Sequence, residues 1–205
     1  NDGSALSLWG MSSWLDKALV KSNQSAEKLD KATLINNGTV TLSLALQKSD
    51  EEGATVDNPL SLANGTGGIV GIHADARTDA ANNGLISITV SGDGGESIAA
   101  GMQAVRGGNI VNGKNIEITS EGSAYGMMAV SGANSGSNFT NVESSVINKG
   151  NIIITAADTG YGISSAVRGN VSSSGNIQIN GAGYGIFNQN GNTETAGSIT
   201  VAGTG

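Results

Sequence analysis

The chain has 205 residues, among them 32 Gly and a single Pro, with 38% apolar, 13% charged and 3% aromatic residues and a net charge of −7. That length allows one domain with a sizeable core or two small ones. Ordered alternation of Ile and Val argues against disorder, Gly without a three-residue period argues against collagen, and the lack of Cys beside a single His73 removes disulfides, thiolate metal sites and most zinc and Ser-His-Asp chemistry.

The acidic surplus lies downstream: Asn1 to Thr33 holds four acids and four bases, leaving thirteen acids against six bases in the remainder. Nucleic acid is therefore not an expected partner, because backbone phosphates require a basic face. No apolar run is long enough to span a bilayer, so direct membrane insertion is not expected. With neither a start Met nor a signal peptide, the sequence reads as a processed or excised piece.

In chain order, the first predicted element is a short N-terminal helix in "SSWLDKALVK". Ser13 is placed to cap it, with Asp16 three residues later and Leu15, Ala18 and Leu19 on one face. Residues 1–33 are expected to form a helical cap over the first turn of the following fold, or a tether to preceding sequence.

From residue 34 onward the chain repeats. A Gly followed by alternating aliphatic residues recurs at Gly38 (Val40, Leu42), Gly84 (Ile86, Ile88), Gly113 (Ile116, Ile118, one residue late), Gly150 (Ile152, Ile154), Gly175 (Ile177, Ile179) and Gly197 (Ile199, Val201). After each of the first five comes a second apolar segment centred on Gly: "GIVGIHA", "IAAGMQAV", "AYGMMAV", "GYGISSAV" and "GYGIFNQ". Successive anchor glycines are 46, 29, 37, 25 and 22 residues apart. Constant strands with variable connectors, and a minimal unit of solenoid-coil size, predict a right-handed parallel β-helix of about five to six coils over 34–205. Long insertions interrupt it at 46–67 and 131–145.

The rival is an antiparallel sandwich or barrel, suggested by Asn-Gly at 37, 64, 83, 112, 180 and 190. A hairpin needs alternating apolar residues on both sides of the turn, and "RTDAANNG" and "VSSSG" supply only one. In the coil reading the unit is strand, bend, strand, loop, and like residues stack about 4.8 Å apart. Corners call for left-handed backbone, where Gly and Asn are least strained. Gly150 then turns a corner, Ile152 and Ile154 enter the core, Ile153 faces outward, "AADTG" rounds a second corner, and Ile163 enters the next sheet.

Several constellations are candidates for chemistry. Asp93, Glu96, Glu121 and Asp158 lie in the bends of three successive units, where stacking would let carboxylates share a proton or a Ca²⁺. β-helical polysaccharide lyases and glycoside hydrolases group acids in this way, which makes an enzyme acting on an extracellular glycan the alternative reading. Arg106 and Arg168 fall at a different corner, however, and no aromatic row lines a cleft beside the acids. "SGDGGES" at 91–97 lacks the Ser of a protease nucleophile loop, and His73 fits a column position better than a catalytic one. No catalytic set, metal ligand set or cofactor is assigned.

Tyr125, Tyr161 and Tyr184 each precede the second-strand Gly and fall in one column. A straight strand puts them in the core, whereas a kink at the Gly swings them outward as a sugar-stacking ladder. Asp50, Glu51, Glu52 and Asp57 make the first insertion acidic, and loops on a rigid scaffold are where recognition resides.

The unit Asn-x-Gly-x-Ile-x-Ile followed by Gly-Tyr-Gly-Ile, over Leu34 to Gly205, resembles the passenger domains of bacterial autotransporters, adhesin-like β-helices of type V secretion. Large exoproteins of the filamentous haemagglutinin type carry similar coils. The resemblance implies export through the outer membrane by a C-terminal translocator barrel absent from this sequence. It also implies a non-enzymatic role at the cell surface in attachment to a host protein or glycan, or in self-association. Such passengers typically lack Cys. No catalytic residue is carried over.

Overall fold

The computed structural model describes residues 7–13, 31–46, 68–75, 78–92, 98–105, 107–130, 143–166, 169–189 and 191–203. These residues form eighteen strands in three six-stranded sheets, and every strand pair is parallel. Sheet A contains β1 (Ser7–Ser13), β4 (Gly68–Ala74), β7 (Ile98–Val105), β10 (Ser123–Val130), β13 (Gly160–Ala166) and β16 (Gly183–Asn188). Sheet B contains β2 (Ala32–Asn36), β5 (Thr78–Asn82), β8 (Asn109–Asn112), β11 (Ser145–Asn148), β14 (Asn170–Ser173) and β17 (Thr193–Thr195). Sheet C contains β3 (Thr39–Leu46), β6 (Leu85–Gly92), β9 (Asn115–Ser120), β12 (Asn151–Ala156), β15 (Ile177–Asn180) and β18 (Ile199–Ala202). Each coil runs A, B, C and then climbs one rung, so six coils stack into a parallel β-helix, as the repeat predicts.

Three expectations need correction. The unit holds three strands, because the residues before the corners at Gly38, Gly84, Gly113, Gly150, Gly175 and Gly197 form the short strands of sheet B. Ser13, the expected helix cap, is the last residue of β1. The solenoid therefore begins inside 1–33, while the remainder of the expected helix, 14–21, lies outside the described residues. The insertions likewise start or stop inside strands, since Leu46 ends β3 and Ser145 opens β11.

The interior is built of columns, because parallel pairing in register sets each residue on its equivalent one coil below. On sheet C, Ile86, Ile116, Ile152 and Ile177 form one column and Ile88, Ile118, Ile154 and Ile179 the next, all at most 2% exposed. Ile153 points outward at 36% exposure, as the alternation requires. Sheet A contributes Ile72, Met102, Met127 and Ile163, and sheet B contributes Ala80, Ile110, Val146 and Val171. Each fully buried aliphatic side chain stabilises the stack by about 1.5–3 kcal/mol, and β-branched residues suit the pleated surface.

The corner between sheets B and C is the constant one. Two residues separate β2 from β3, β5 from β6, β8 from β9 and β11 from β12, and three separate the later pairs. Asn36, Asn82, Asn112, Asn148 and Ser173 end the sheet B strands and are 0–6% exposed. Each Asn Nδ2 donates to the next side chain in the row: Asn36 to Asn82 at 2.8 Å, Asn82 to Asn112 at 2.9 Å, Asn112 to Asn148 at 2.9 Å and Asn148 to Ser173 Oγ at 3.2 Å. The same amides bind the corner backbone, with Asn112 Nδ2 donating to Lys114 O at 2.9 Å and Gly38 N donating to Asn36 Oδ1 at 3.0 Å. A buried amide is tolerated only when its hydrogen bonds are made, and this ladder makes them inside the protein.

Glycine follows for a different reason from the one expected. Positive φ occurs among the described glycines at Gly107 (86°), Gly181 (127°) and Gly183 (159°), none of them at the B–C corner. At Gly84, Gly150, Gly175 and Gly197 the requirement is close approach: a Cβ on Gly175, for example, would overlap the Gly150 carbonyl of the coil below. Gly38, in the first coil, has nothing within 4 Å of such a Cβ.

Candidate binding surface

On sheet A the in-out alternation slips at the column of glycines. Ala124, Met127 and Ala129 pack in the core, while Tyr125 and Met128, three residues apart, join a separate cluster with Val70 and Ala100. Gly126 lies between, and a Cβ there would run into Ile152 Cγ2 of sheet C. Two consecutive residues thus turn toward the core, and the preceding Tyr turns outward. The straight-strand expectation of core tyrosines is overturned, and the kinked alternative describes the structure.

The outward column reads Trp9, Val70, Ala100, Tyr125, Tyr161, Tyr184. Beside it runs Ser12, His73, Gln103, Met128, Ser164, Phe187. Toward the first coils this face is covered: Val70, His73, Ala100 and Gln103 are at most 1% exposed. His73 stacks on Trp9 with centroids 4.7 Å apart, and its Nδ1 lies 2.8 Å from Gln103 Oε1. It is a column residue, as its strand position predicts.

Toward the last coils the face opens. Tyr125 and Tyr161 stack at 4.6 Å with planes 3° apart, and Tyr161 and Tyr184 at 5.4 Å and 18°. Strand spacing alone sets this geometry, since identical residues one rung apart have little choice but to lie parallel. Phe187 meets Tyr161 edge-on at 6.0 Å and Tyr184 at 5.5 Å. Tyr184 and Phe187 are 51% and 37% exposed. Phe187 carries no sequence motif of its own, and its signal is its position three residues after Tyr184, the offset that separates Met128 from Tyr125.

A carboxylate borders the aromatic column. Asp158, exposed in the loop before β13, accepts a hydrogen bond from Ser123 Oγ at 2.6 Å. Burial raises the Tyr125 phenol above its ordinary range, and the nearby Tyr161 and Asp158 push it further in the same direction, so the hydroxyl stays protonated and able to donate. The surface therefore offers aromatic faces and edges, phenol hydroxyls and one carboxylate.

The other predicted site residues are not brought to it. Asp50, Glu51, Glu52 and Asp57 lie outside the described residues, as do Asp93, Glu96, Arg106 and Arg168. Glu121 is exposed at the corner between β9 and β10. Among the described residues, no three His, Asp or Glu side chains are grouped to hold a metal ion.

No protein-family profile, curated protein or solved structure matches this chain.

Proposed function

We propose that this chain is a binding rod of a bacterial cell surface, a passenger of the autotransporter type that attaches to extracellular glycan through the outer face of sheet A. The single observation that carries the reading is the exposed end of the aromatic column, where Tyr184 and Phe187 are open to solvent at the end of the Tyr125–Tyr161–Tyr184 stack. In this reading the C–H face of a pyranose packs on Tyr184 and Phe187 and phenol hydroxyls take its hydroxyls, while a further sugar of the same chain reaches Asp158 beside Tyr125. Tyr125 and Tyr161 spend their ring faces on each other, so they support the terminal rings and do not stack on sugar themselves. A rigid rod suits many weak, simultaneous contacts. The repeat's resemblance to autotransporter passengers supports surface export by a translocator barrel and a role in attachment without catalysis.

The test is a carbohydrate array on the purified protein, followed by titration of the best ligand against Tyr184→Ala and Phe187→Ala, with sugar release assayed in parallel. The expected result is binding without cleavage, weakened about tenfold or more by either substitution. Glycan binding indifferent to both substitutions, or release of reducing ends, would overturn it.

A further inference from the structure

The outer face of sheet B carries a second feature, independent of the aromatic column. Ile35, Ala81, Val111 and Ile147 stack in one outward column across four coils. Ile35 is 49% exposed, and the other three are partly exposed. Beside them runs a polar row in which Asn109 Nδ2 donates to Asp79 Oδ1 at 2.7 Å and Ser145 Oγ donates to Asn109 Oδ1 at 2.7 Å. Lys31 and Glu143 each stand two residues ahead of that row, one in the first coil and one in the fourth. Lys31 pairs with Asp79 at 3.0 Å with both side chains about half exposed (50% and 43%), and the exposed Glu143 accepts from Asn170 Nδ2 at 2.8 Å.

This arrangement is self-complementary. A two-fold axis running along the strand direction between the second and third coils lays a second copy on the same face with its rod reversed. Ile35 then lies over the partner copy's Ile147-equivalent position, Ala81 over that of Val111, and Lys31 over that of Glu143. The axis generates each contact twice, so an apolar centre is flanked by two opposite-charge pairs. We infer that sheet B is the contact face of an antiparallel, side-by-side homodimer. The parallel alternative, coil over equal coil with the two-fold along the rod, reverses the strands, so with the apolar stripes facing each other it carries Lys31 and Glu143 to the opposite side of the face and leaves no opposite charges facing. The stripe spans three rungs, roughly 14 Å, well short of a permanent interface. The association is therefore weak and reversible, and it gains strength where many rods are held side by side.

The absence of Cys from the whole chain makes a clean test possible. Single variants Ile35→Cys and Ile147→Cys are prepared separately, then oxidised alone and mixed. The mixture is expected to yield the disulfide-linked dimer at least about tenfold faster than either variant alone, or than Thr200→Cys on the outer face of sheet C. A second pair, Ala81→Cys and Val111→Cys, lies at the centre of the stripe within one rung of its own symmetry copy, so these variants should link faster than Thr200→Cys whether alone or mixed, which guards against local disturbance at Ile35 or Ile147. Far-UV circular dichroism confirms that each variant is folded. Cross-linking of the mixtures no faster than the Thr200→Cys control would overturn the proposal. Faster cross-linking of Ile35→Cys with itself than with Ile147→Cys would equally overturn the antiparallel alignment.

Discussion

The buried amide row at the B–C corner makes a quantitative demand on stability. Asn112, 0% exposed, accepts from Asn82 at 2.9 Å and donates to Asn148 and to Lys114 O, each at 2.9 Å. Asn112→Ala removes three hydrogen bonds worth about 1 kcal/mol each and strands one N–H of Asn82 and the Oδ1 of Asn148 in a dry interior, which adds about 1–2 kcal/mol. The expected loss is about 4–5 kcal/mol, measured as the shift in a urea unfolding curve at constant m value. Two companions isolate the cause. Asn112→Leu keeps the branched heavy-atom shape in a somewhat larger side chain but not the polarity, and should be no better than Ala. Asn112→Ser should fall in between, because Ser173 already takes an Asn amide proton in the same row at 3.2 Å. A surface control is Asn151→Ala: Asn151 belongs to an exposed row, donating to Asn115 and accepting from Asn176, both at 3.2 Å, and water replaces what is lost, so the cost should be at most about 0.5 kcal/mol. If Asn112→Ala and Asn151→Ala destabilise equally, or if Asn112→Leu is tolerated, the buried row does not hold the corner.

Two further outcomes follow from the stacking. Gly175→Ala should destabilise by about 1–3 kcal/mol, because its methyl group meets the Gly150 backbone, whereas Gly38→Ala at the equivalent corner should be neutral within about 0.5 kcal/mol, since its surroundings are open; thermal unfolding of both variants reads the contrast. The raised Tyr125 phenol gives an alkaline limit: the unfolded chain releases that proton first, so the stabilisation is complete below about pH 10 and declines as pH rises through the folded-state value. Unfolding midpoints across that range should fall less steeply for Tyr125→Phe than for the parent chain, and equal slopes would exclude the phenol as the cause.

The parts of the fold that could be read from sequence are those where a strand carries two core residues at alternate positions. Gly-x-Ile-x-Ile marked sheet C, and the Gly-centred segments marked sheet A. Sheet B was hidden because its strands contribute one aliphatic core residue each, such as Ile110 or Val146, followed by a buried Asn that in sequence looks like half of a turn. Asn is ordinarily an exposed residue. Its burial here is a property of the stack, in which the amides hydrogen-bond from coil to coil, and no single repeat displays it. The tyrosines were legible as a column but not as a face, since alternation assumes a regular pleat, and the slip at Gly126 depends on Ile152 arriving from another sheet. The acidic loop candidates belong to connectors whose length, rather than pattern, was the sequence signal.

Every long connector in the chain, including 14–31, 47–67 and 131–144, enters or leaves sheet A. The edge shared by sheets B and C carries none. A prism made this way has one plain arris and two ornamented ones: new peptide is accommodated beside the aromatic column, while the opposite ridge keeps its shape from coil to coil. Diversity between variants of such a molecule should accumulate on one flank, leaving the smooth ridge as a fixed rail along its length.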